Sequence, residues 1–323
     1  MEFFRYTKTY QFMEKSKIAL SISLLLVVLS YVLLMTKGLN YGVDFAGGTI
    51  VQVKYTEAAP IDKMRAQLKA DPVFDGATIT EFGSPEEVII RLKTSSNSVM
   101  SDIGDSAREM LKDSGDFEIR RVDIVGPKVG NELREQGMMS LLLATLGILI
   151  YVAFRFEWRF AIASIIALIH DISIALGALA LFQIDVNLDV LAALLTILGY
   201  SLNDTIIVFD RIREGITESK STDLGEVIDE SITRTLARTT LTSLTTFFVV
   251  FTLFIFGGEI IHSFAFTLLV GIVVGTYSSI FVASPVLMRF GFDIKGYRAR
   301  LAEKAKHHAE KERMRSQFEQ GVV

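Results

Sequence analysis

The chain has 323 residues, of which 50% are hydrophobic and only 22% are charged, a balance typical of a membrane protein. The net charge of −4 gives no basic field for nucleic acid, and the absence of cysteine excludes disulfides, thiolate metal sites and cysteine nucleophiles. The four histidines show no His-x-x-x-His spacing, so we expect neither a histidine metal site nor a cofactor.

Six apolar runs are long enough to cross a bilayer, which requires about 20 helical residues. The first run is residues 18–36, and residues 1–17 precede it. This run is too long for the apolar part of a cleaved signal peptide. Residues 37–137 form a separate domain, residues 138–288 contain five more spans, and residues 289–323 form a charged tail. The five later spans are predicted at residues 138–154, 160–184, 186–209, 239–258 and 263–288.

The positions of Lys and Arg predict the orientation of these spans. Basic residues, including Arg5 and Lys8, precede the first span, and others lie between spans two and three, between spans four and five, and after span six. The other short connections contain none, so the positive-inside rule places both termini in the cytoplasm. Residues 37–137 are rich in Lys and Arg, but long domains translocate largely regardless of charge, and we expect this domain outside.

The outside domain has the alternating pattern of an α+β fold. Its order, β-α-β-β-α-β, is that of the ferredoxin-like unit, which makes the whole chain a membrane α-helical protein with one such domain. The strands are predicted at residues 49–56, 77–82, 87–93 and 117–125, and the helices at residues 59–70 and 98–111. The domain contains no His, no Cys and no nucleophile motif, so it is interpreted as a binding or gating module and not as an enzyme.

The fourth span carries Asn203 and Asp204 side by side in an apolar run. A charge at the bilayer centre costs roughly 2.5–3.5 kcal/mol, which makes such a residue a functional candidate. At 100° per residue, Asp204 lies at the edge of a polar face that is predicted to meet other helices and is formed by Thr196, Gly199, Tyr200 and Asn203. Two roles are possible for these residues: a helix-packing patch, or a proton or ion site. The second is favoured for Asp204, because packing alone does not offset the cost of placing a lone carboxylate in the membrane.

The start of the fifth span offers a partner for this carboxylate. Arg238 is the last charge before a long uncharged run, and hydroxyl residues including Thr242 and Thr245 follow it. Arg238 either extends to the headgroups or approaches Asp204, and a moving contact between the two would load and release a proton. Asp210, at the cytoplasmic edge beside Arg211, is predicted to form an interfacial ion pair.

Spans three and six contain further candidates. Adjacent helical residues point about 100° apart, so His170 and Asp171 are not expected to form a tight pair on their own helix. Asp171 shares a face with small residues, and His170 is either a core histidine or a relay member. In span six, Gly271 and Gly275 form a small-xxx-small pair that favours close helix packing. The small residues on the face of Asp171 are Ser164, Ala175 and Ala178.

Several motifs together resemble one bacterial family. They are YGVDFAGGT at residues 41–49, VGPKVGNELREQG at residues 125–137, the His-Asp pair, GYSLNDTIIVFDRIRE at residues 199–214, and TLARTTLTS at residues 235–243. With the six-span layout, they resemble the SecD/SecF family of protein-export membrane proteins within the RND superfamily. The resemblance runs from the first span to about Gly291 and leaves the charged tail out.

The resemblance implies an accessory subunit of the Sec translocon that uses the proton motive force to assist protein export. It implies a separate SecD as the second six-span half, association with YajC and the SecYEG channel, exported polypeptides as substrates, and contact with membrane lipids. Asp204 matches the proton-linked carboxylate of the family, and Arg238 matches its functional partner. Asn203, Asp171 and His170 complete the candidate proton-coupling set.

The signature residues Asp44, Gly47 and Gly48 follow the first span, where the glycines form either a hinge for the outside domain or an ordinary turn. Two other functions stay open: a small-molecule or ion exporter of the same superfamily, and a static scaffold for the channel. Intramembrane proteolysis is disfavoured because the chain has no Gly-x-Gly-Asp pattern. The coupling ion, proton or sodium, is not determined by one carboxylate.

Overall fold

The computed structural model describes residues 9–69, 74, 76–92, 103–291 and 293–319, without the side chains of residues 259, 260, 304, 305 and 317–319. Arg5, Lys8 and the first five residues of the predicted helix 98–111 therefore lie outside the described part. In chain order the elements are α1 (Ser16–Thr36), β1 (Asn40–Tyr41), α2 (Val43–Ala46), β2 (Gly48–Tyr55), α3 (Ile61–Leu68), β3 (Thr78–Phe82), β4 (Ser84–Leu92), α4 (Ile103–Met110), β5 (Phe117–Val125), α5 (Pro127–Arg155), α6 (Trp158–Phe182), β6 (Asp185–Val186), α7 (Leu188–Glu218), α8 (Leu224–Phe256), α9 (Gly258–Ser278), a π-helical turn (Ser279–Ala283), α10 (Ser284–Arg289) and α11 (Ile294–Glu319).

The six predicted spans are confirmed, because six helical segments in the described residues are long and apolar enough to cross a membrane. Three of these helices, α5, α7 and α8, extend well beyond the apolar runs. Pro127 occupies the first turn of α5, where its missing N–H costs nothing, and Asp223 caps α8 by accepting from the Gly225 N–H at 3.0 Å. Hydropathy therefore marks the part that crosses lipid, while local caps decide where each helix begins.

The outside domain is a four-stranded antiparallel sheet in the order β3-β4-β2-β5, with α3 and α4 on one face. This is the predicted ferredoxin-like arrangement. Val51 and Val53 of β2 alternate toward the helices and are fully buried, as expected for a sheet with one covered face. Tyr55 ends this row, and its burial raises the pKa of the phenol while its hydroxyl lies 2.6 Å from Ser114 Oγ.

The membrane helices form a bundle in which α6, α7 and α9 are central and α1, α5 and α8 are peripheral. The predicted glycine packing is confirmed between α9 and α7. A Cβ added at Gly271 would lie 2.2 Å from Ile197 Cγ1, and one at Gly275 would lie 3.0 Å from Ser201 Cβ. These glycines hold the backbones of α7 and α9 close together, which brings polar side chains of both helices within hydrogen-bonding distance.

The charged tail is also helical, and its first turns pack on the end of α7. Arg298 donates from Nε to the Ile216 carbonyl at 2.5 Å and from Nη2 to the carbonyls of Ser219 and Ser221 at 2.7 and 2.9 Å. The last carbonyls of a helix have no partner within it, so the guanidinium of Arg298 serves as a cap for α7. The sequence pattern predicted the charge of the tail but not this contact.

Candidate proton-coupling site

Two carboxylates lie at the centre of the helix bundle, Asp171 on α6 and Asp204 on α7. Their exposed fractions are 0% and 1%, so neither side chain faces lipid or bulk water in this conformation. Hydroxyl side chains from α7, α8 and α9 surround them, and the two acids differ in how completely these hydroxyls satisfy them. That difference decides which of the two is suited to change its charge.

The carboxylate of Asp171 is fully hydrogen-bonded. Its Oδ2 accepts from the hydroxyl of Ser278 on α9 at 2.8 Å and from the hydroxyl of Ser201 on α7, and its Oδ1 lies 2.8 Å from Nδ1 of His170. Three donors on one carboxylate stabilise its negative charge within the bundle. Asp171 thus connects α6 to the two other central helices, α7 and α9, by hydrogen bonds.

The prediction that His170 and Asp171 cannot pair on their own helix is wrong. Their Cβ atoms diverge by about 100°, but Nδ1 lies near the backbone side of the imidazole ring, and rotation of both side chains closes the gap. The contact joins Nδ1 to Oδ1, so Nε2 takes no part in it. Nε2 is buried and has no hydrogen-bond partner among the described residues, and the ring stacks on Tyr277 with centroids 6.2 Å apart.

The carboxylate of Asp204 is only partly satisfied. Its Oδ2 accepts from the hydroxyl of Ser243 on α8 at 3.2 Å, and that hydroxyl accepts from Thr276 Oγ1 on α9 at 2.8 Å. Its Oδ1 is buried and finds no hydrogen-bond partner in the described part of the chain. A charged carboxylate in this setting lacks the solvation that Asp171 receives, whereas a protonated one needs less.

The polar face predicted for α7 does not meet the other helices of this chain. Thr196, Gly199 and Asn203 are exposed, and only Tyr200 is half-buried. Asp204 lies about 100° around the helix from Asn203 and faces inward instead. That this face meets other helices stays a prediction, because periodicity groups side chains by direction but does not tell whether the neighbours in that direction belong to the same chain. Asn203 is therefore separated from the buried carboxylates.

Arg238 does not contact Asp204 in this conformation. Its side chain is exposed and has no hydrogen bond or ion pair among the described residues. It lines a cleft of about 720 Å³ between the C-terminal part of α7 and the N-terminal part of α8, together with Asp210 and Glu230. Ser243, which binds Asp204, is five residues further along α8, and this places Arg238 about 7.5 Å from it along the helix axis.

The ion pair predicted for Asp210 is present, although its partners are different. Asp210 Oδ1 lies 3.5 Å from Arg155 Nη2 and 3.3 Å from Arg213 Nη2, while Arg211 pairs with Glu214. All five side chains are at least partly exposed, so these pairs contribute little to stability. Asp210 is an interfacial charge and does not belong to the buried network.

The signature residues connect the first span to the remaining helices. Asp44 Oδ2 accepts from the backbone N–H of Leu188 at 3.0 Å, which caps the first turn of α7 from a distant part of the chain. Gly47 and Gly48 both have positive φ, 78° and 150°, and a Cβ at Gly47 would lie 3.0 Å from Pro127 Cα. This close approach supports the turn over the hinge as the role of these glycines.

Sequence reasoning missed three hydroxyl residues of the network. Ser201, Thr276 and Ser278 join the two carboxylates to α7 and α9, and Ser278 directly precedes the π-helical turn. Pro285 follows closely and offers no N–H to the carbonyl four residues earlier, which accounts for the break in regular α-helical bonding. The available signal was a cluster of polar residues, TYSS, within an apolar span.

The arrangement is chemically suited to holding protons. In the described part of the chain, no three His, Asp or Glu side chains are grouped closely enough to hold a metal ion. The buried network offers two carboxylates, one imidazole nitrogen without a hydrogen-bond partner among the described residues, and hydroxyls that both donate and accept. Such groups bind and pass protons by small changes of hydrogen bonding.

Comparisons with known proteins agree with this architecture. The family description "Protein export membrane protein SecD/SecF, C-terminal" matches residues 106–293, and "SecD/SecF GG Motif" matches residues 32–59. The chain is 48% identical over 323 residues to a protein translocase subunit SecF from Helicobacter pylori (strain ATCC 700392 / 26695), covering 100% of both proteins. It is 46% identical over 286 residues to the protein of the same name from Vibrio alginolyticus, covering 88% of this chain and 90% of that one.

A solved structure shows the same fold as half of a larger molecule. The crystal structure of SecDF, a translocon-associated membrane protein from Thermus thermophilus, matches with a TM-score of 0.76 and 34% sequence identity. The match covers 88% of this chain but only 39% of that chain, so the present protein spans well under half of SecDF. Family match, relatives and structure agree, and the chain belongs to the SecD/SecF family of protein-export membrane proteins.

Proposed function

We propose that this chain is a non-enzymatic subunit of Sec-dependent protein export that is embedded in the bacterial inner membrane and works with a SecD half. It uses the proton motive force to assist translocation, with both termini in the cytoplasm and the ferredoxin-like domain outside. The names of its relatives and the SecDF structure support the export role and the SecD partner. They give no support to the exporter alternative.

The observation that carries the proton role is the contrast between the two buried acids. Asp171 has donors for both of its oxygens, so its charge is stabilised throughout. Asp204 has one long hydrogen bond from Ser243 and an oxygen without a partner. A proton on Asp204 removes an under-solvated charge, and its departure restores that charge. Asp204 is therefore the group that loads and unloads, and Asp171 with His170 forms the fixed frame beside it.

Arg238 supplies the release step. Its guanidinium cannot lose its proton, so it acts on Asp204 only by approaching or withdrawing. Approach stabilises the carboxylate and expels its proton, and withdrawal favours protonation again. The side chain has no ion partner in the described residues and faces an open cleft on the cytoplasmic side, which leaves it free to move. One charge moved through 100 mV supplies about 2.3 kcal/mol to this cycle.

The exposed polar face of α7 is the surface that we assign to SecD. Asn203 and Thr196 on α7, and Thr242 and Thr245 on the adjoining α8, point away from the other helices of this chain at membrane depth. Polar side chains in spanning helices face protein, because hydrocarbon offers them no partners. SecDF is a chain more than twice as long, which leaves room for a second set of helices against this face.

The remaining partners follow from the proposed role. The SecYEG channel and YajC are the assembly in which such a subunit acts, and the exported polypeptide is the substrate that its outside domain meets. Asp44, which caps α7, and Gly47, which packs on the start of α5, connect that domain to the two helices. These close contacts between the domain and the helices transmit movement of the bundle to the outside domain.

The proposed SecD surface can be tested by disulfide cross-linking. The chain has no cysteine of its own, so each introduced cysteine is its only thiol. Asn203→Cys is expected to cross-link to SecD spans that carry single cysteines, because Asn203 is exposed on the assigned face. Ile169→Cys is the matched control, since Ile169 is 52% exposed on α6, outside that face. Efficient cross-linking of Ile169→Cys and none of Asn203→Cys would place SecD elsewhere.

The export role and its energy source are tested together in proteoliposomes that contain this chain, SecD, SecYEG and a translocating substrate. A pH gradient alone is expected to stimulate translocation, because the network consists of proton-binding groups, and a protonophore is expected to remove the stimulation. A sodium gradient alone should have no effect. Stimulation by the sodium gradient alone would show that the coupling ion is sodium and not the proton. No stimulation by either gradient would support the static-scaffold alternative.

A further inference from the structure

The C-terminal helix α11 has an anchored beginning and a distal half that contacts nothing in the described part of the chain. Ile294 and Tyr297 are buried and Arg298 caps α7, but every side chain from residue 306 to residue 316 is exposed. An isolated helix that is polar on all sides gains little from its own propensity. The distal half therefore needs an explanation outside the packing of this chain.

Most of the Lys and Arg residues of α11 fall on two opposite sides of the helix, with Lys295, Lys306 and Arg313 on one side. On the other side, at 100° per residue, Arg300, Lys311 and Arg315 fall within a sector about 60° wide. The acidic residues of the helix, Glu303, Glu310, Glu312 and Glu319, lie outside this sector. A continuous row without a negative charge is suited to a flat anionic surface, because every contact along the row is attractive.

The contacts of the first turns show which way this basic sector faces. Arg300 Nη2 lies 3.2 Å from Oε1 of Glu157, the residue just before α6 begins. Trp158 follows immediately, is 57% exposed, and belongs to a residue type that is enriched at the membrane interface. The side of α11 that carries Arg300 therefore faces the level at which the helices leave the bilayer.

We propose that the basic sector of α11 binds the anionic phospholipid headgroups of the cytoplasmic leaflet, so that the helix lies along the membrane surface. Residues 294–319 follow the end of the family match at residue 293, although the relative from Helicobacter pylori aligns across them as well. The helix begins only five residues after α10 ends at Arg289, which keeps it within reach of the headgroups. Lys and Arg residues directly cytoplasmic of a span are attracted to anionic lipid.

The experiment uses the full chain in nanodiscs, with a nitroxide on Ser316→Cys, which is a unique cysteine at an exposed position. We expect the label to be mobile in phosphatidylcholine and immobilised when an equal amount of phosphatidylglycerol is added. Added salt should release it. Each Lys or Arg near the surface changes the ratio of bound to free helix by about fivefold, so Lys311→Gln with Arg315→Gln should lower it on the order of 25-fold.

The matched control is Lys306→Gln with Arg313→Gln, which removes the same charge from the opposite side of α11 and is expected to leave most of the immobilisation. Equal losses in both double variants would overturn the proposal, because the sector would then have no special role. Equal mobility in both lipids would do the same. If the label is immobilised only when ribosomes or RNA are added, the anionic partner is nucleic acid and the lipid proposal fails.

Discussion

Replacing Asp204 with Asn is expected to abolish stimulation of export by the proton motive force while leaving the subunit folded and paired with SecD. Asn has the same shape and keeps an oxygen that can accept from Ser243, so the packing of α7 against α8 is retained. It cannot bind or release a proton at physiological pH, so the proposed cycle stops. The measurement is translocation of a substrate in proteoliposomes with and without a pH gradient.

The control for this variant is Asp210→Asn on the same helix. Asp210 is half exposed and pairs with Arg155 and Arg213 outside the buried network, so its neutralisation should change stimulation little. Co-purification with SecD confirms that both variants assemble. If Asp204→Asn supported full stimulation by the gradient, Asp204 would be a packing residue and the proton mechanism would have to be abandoned.

Replacing Asp171 with Leu is expected to cause the largest loss of stability among changes to the network. Leu has a similar size but accepts no hydrogen bond, so it leaves His170 Nδ1 and the Ser201 hydroxyl buried without a partner, while Ser278 retains the Gly275 carbonyl. Each buried polar group left without a partner costs about 1–3 kcal/mol, so the expected loss is on the order of 2–6 kcal/mol. The midpoint of thermal unfolding in detergent, followed by circular dichroism, measures this loss.

Asp204→Leu is the matched comparison for stability, because it changes an equally buried acid on the neighbouring helix. It strands only the hydroxyl of Ser243, which retains its contact with Thr276, so we expect less than half of the loss seen for Asp171→Leu. Equal midpoints for the two variants would show that Asp171 does not hold the central helices together. The two variants thus distinguish the proposed roles of the two acids: Asp171 holds the helices together, and Asp204 changes its charge.

The sequence was sufficient for those features that depend on the local order of residues. Apolar runs located all six spans because a bilayer requires a fixed length of helix without charge. Alternation and turn residues located β2 to β5, and their order gave the ferredoxin-like sheet. The spacing of Gly271 and Gly275 predicted close packing, because residues four apart share one side of a helix.

The order of residues along the chain could not predict features that depend on side-chain rotation or on which neighbour a helix face meets. The pairing of His170 with Asp171 depends on side-chain rotation, which a helical wheel does not contain. The opposite exposure of Asn203 and Asp204 depends on which side of α7 the other helices occupy. Arg238 was expected near Asp204 because their spans are neighbours, yet it faces the cleft between α7 and α8 in this conformation.

The sequence by itself therefore determined that this is a six-span membrane protein with an outside α+β domain and acids within its spans. Only the tertiary structure decided that Asp171 is enclosed by three donors while Asp204 keeps an oxygen without a partner. The physical reason is that burial and hydrogen bonding belong to contacts between α6, α7, α8 and α9. Residues as far apart in the chain as Asp171 and Ser278 make those contacts, and no local pattern records them.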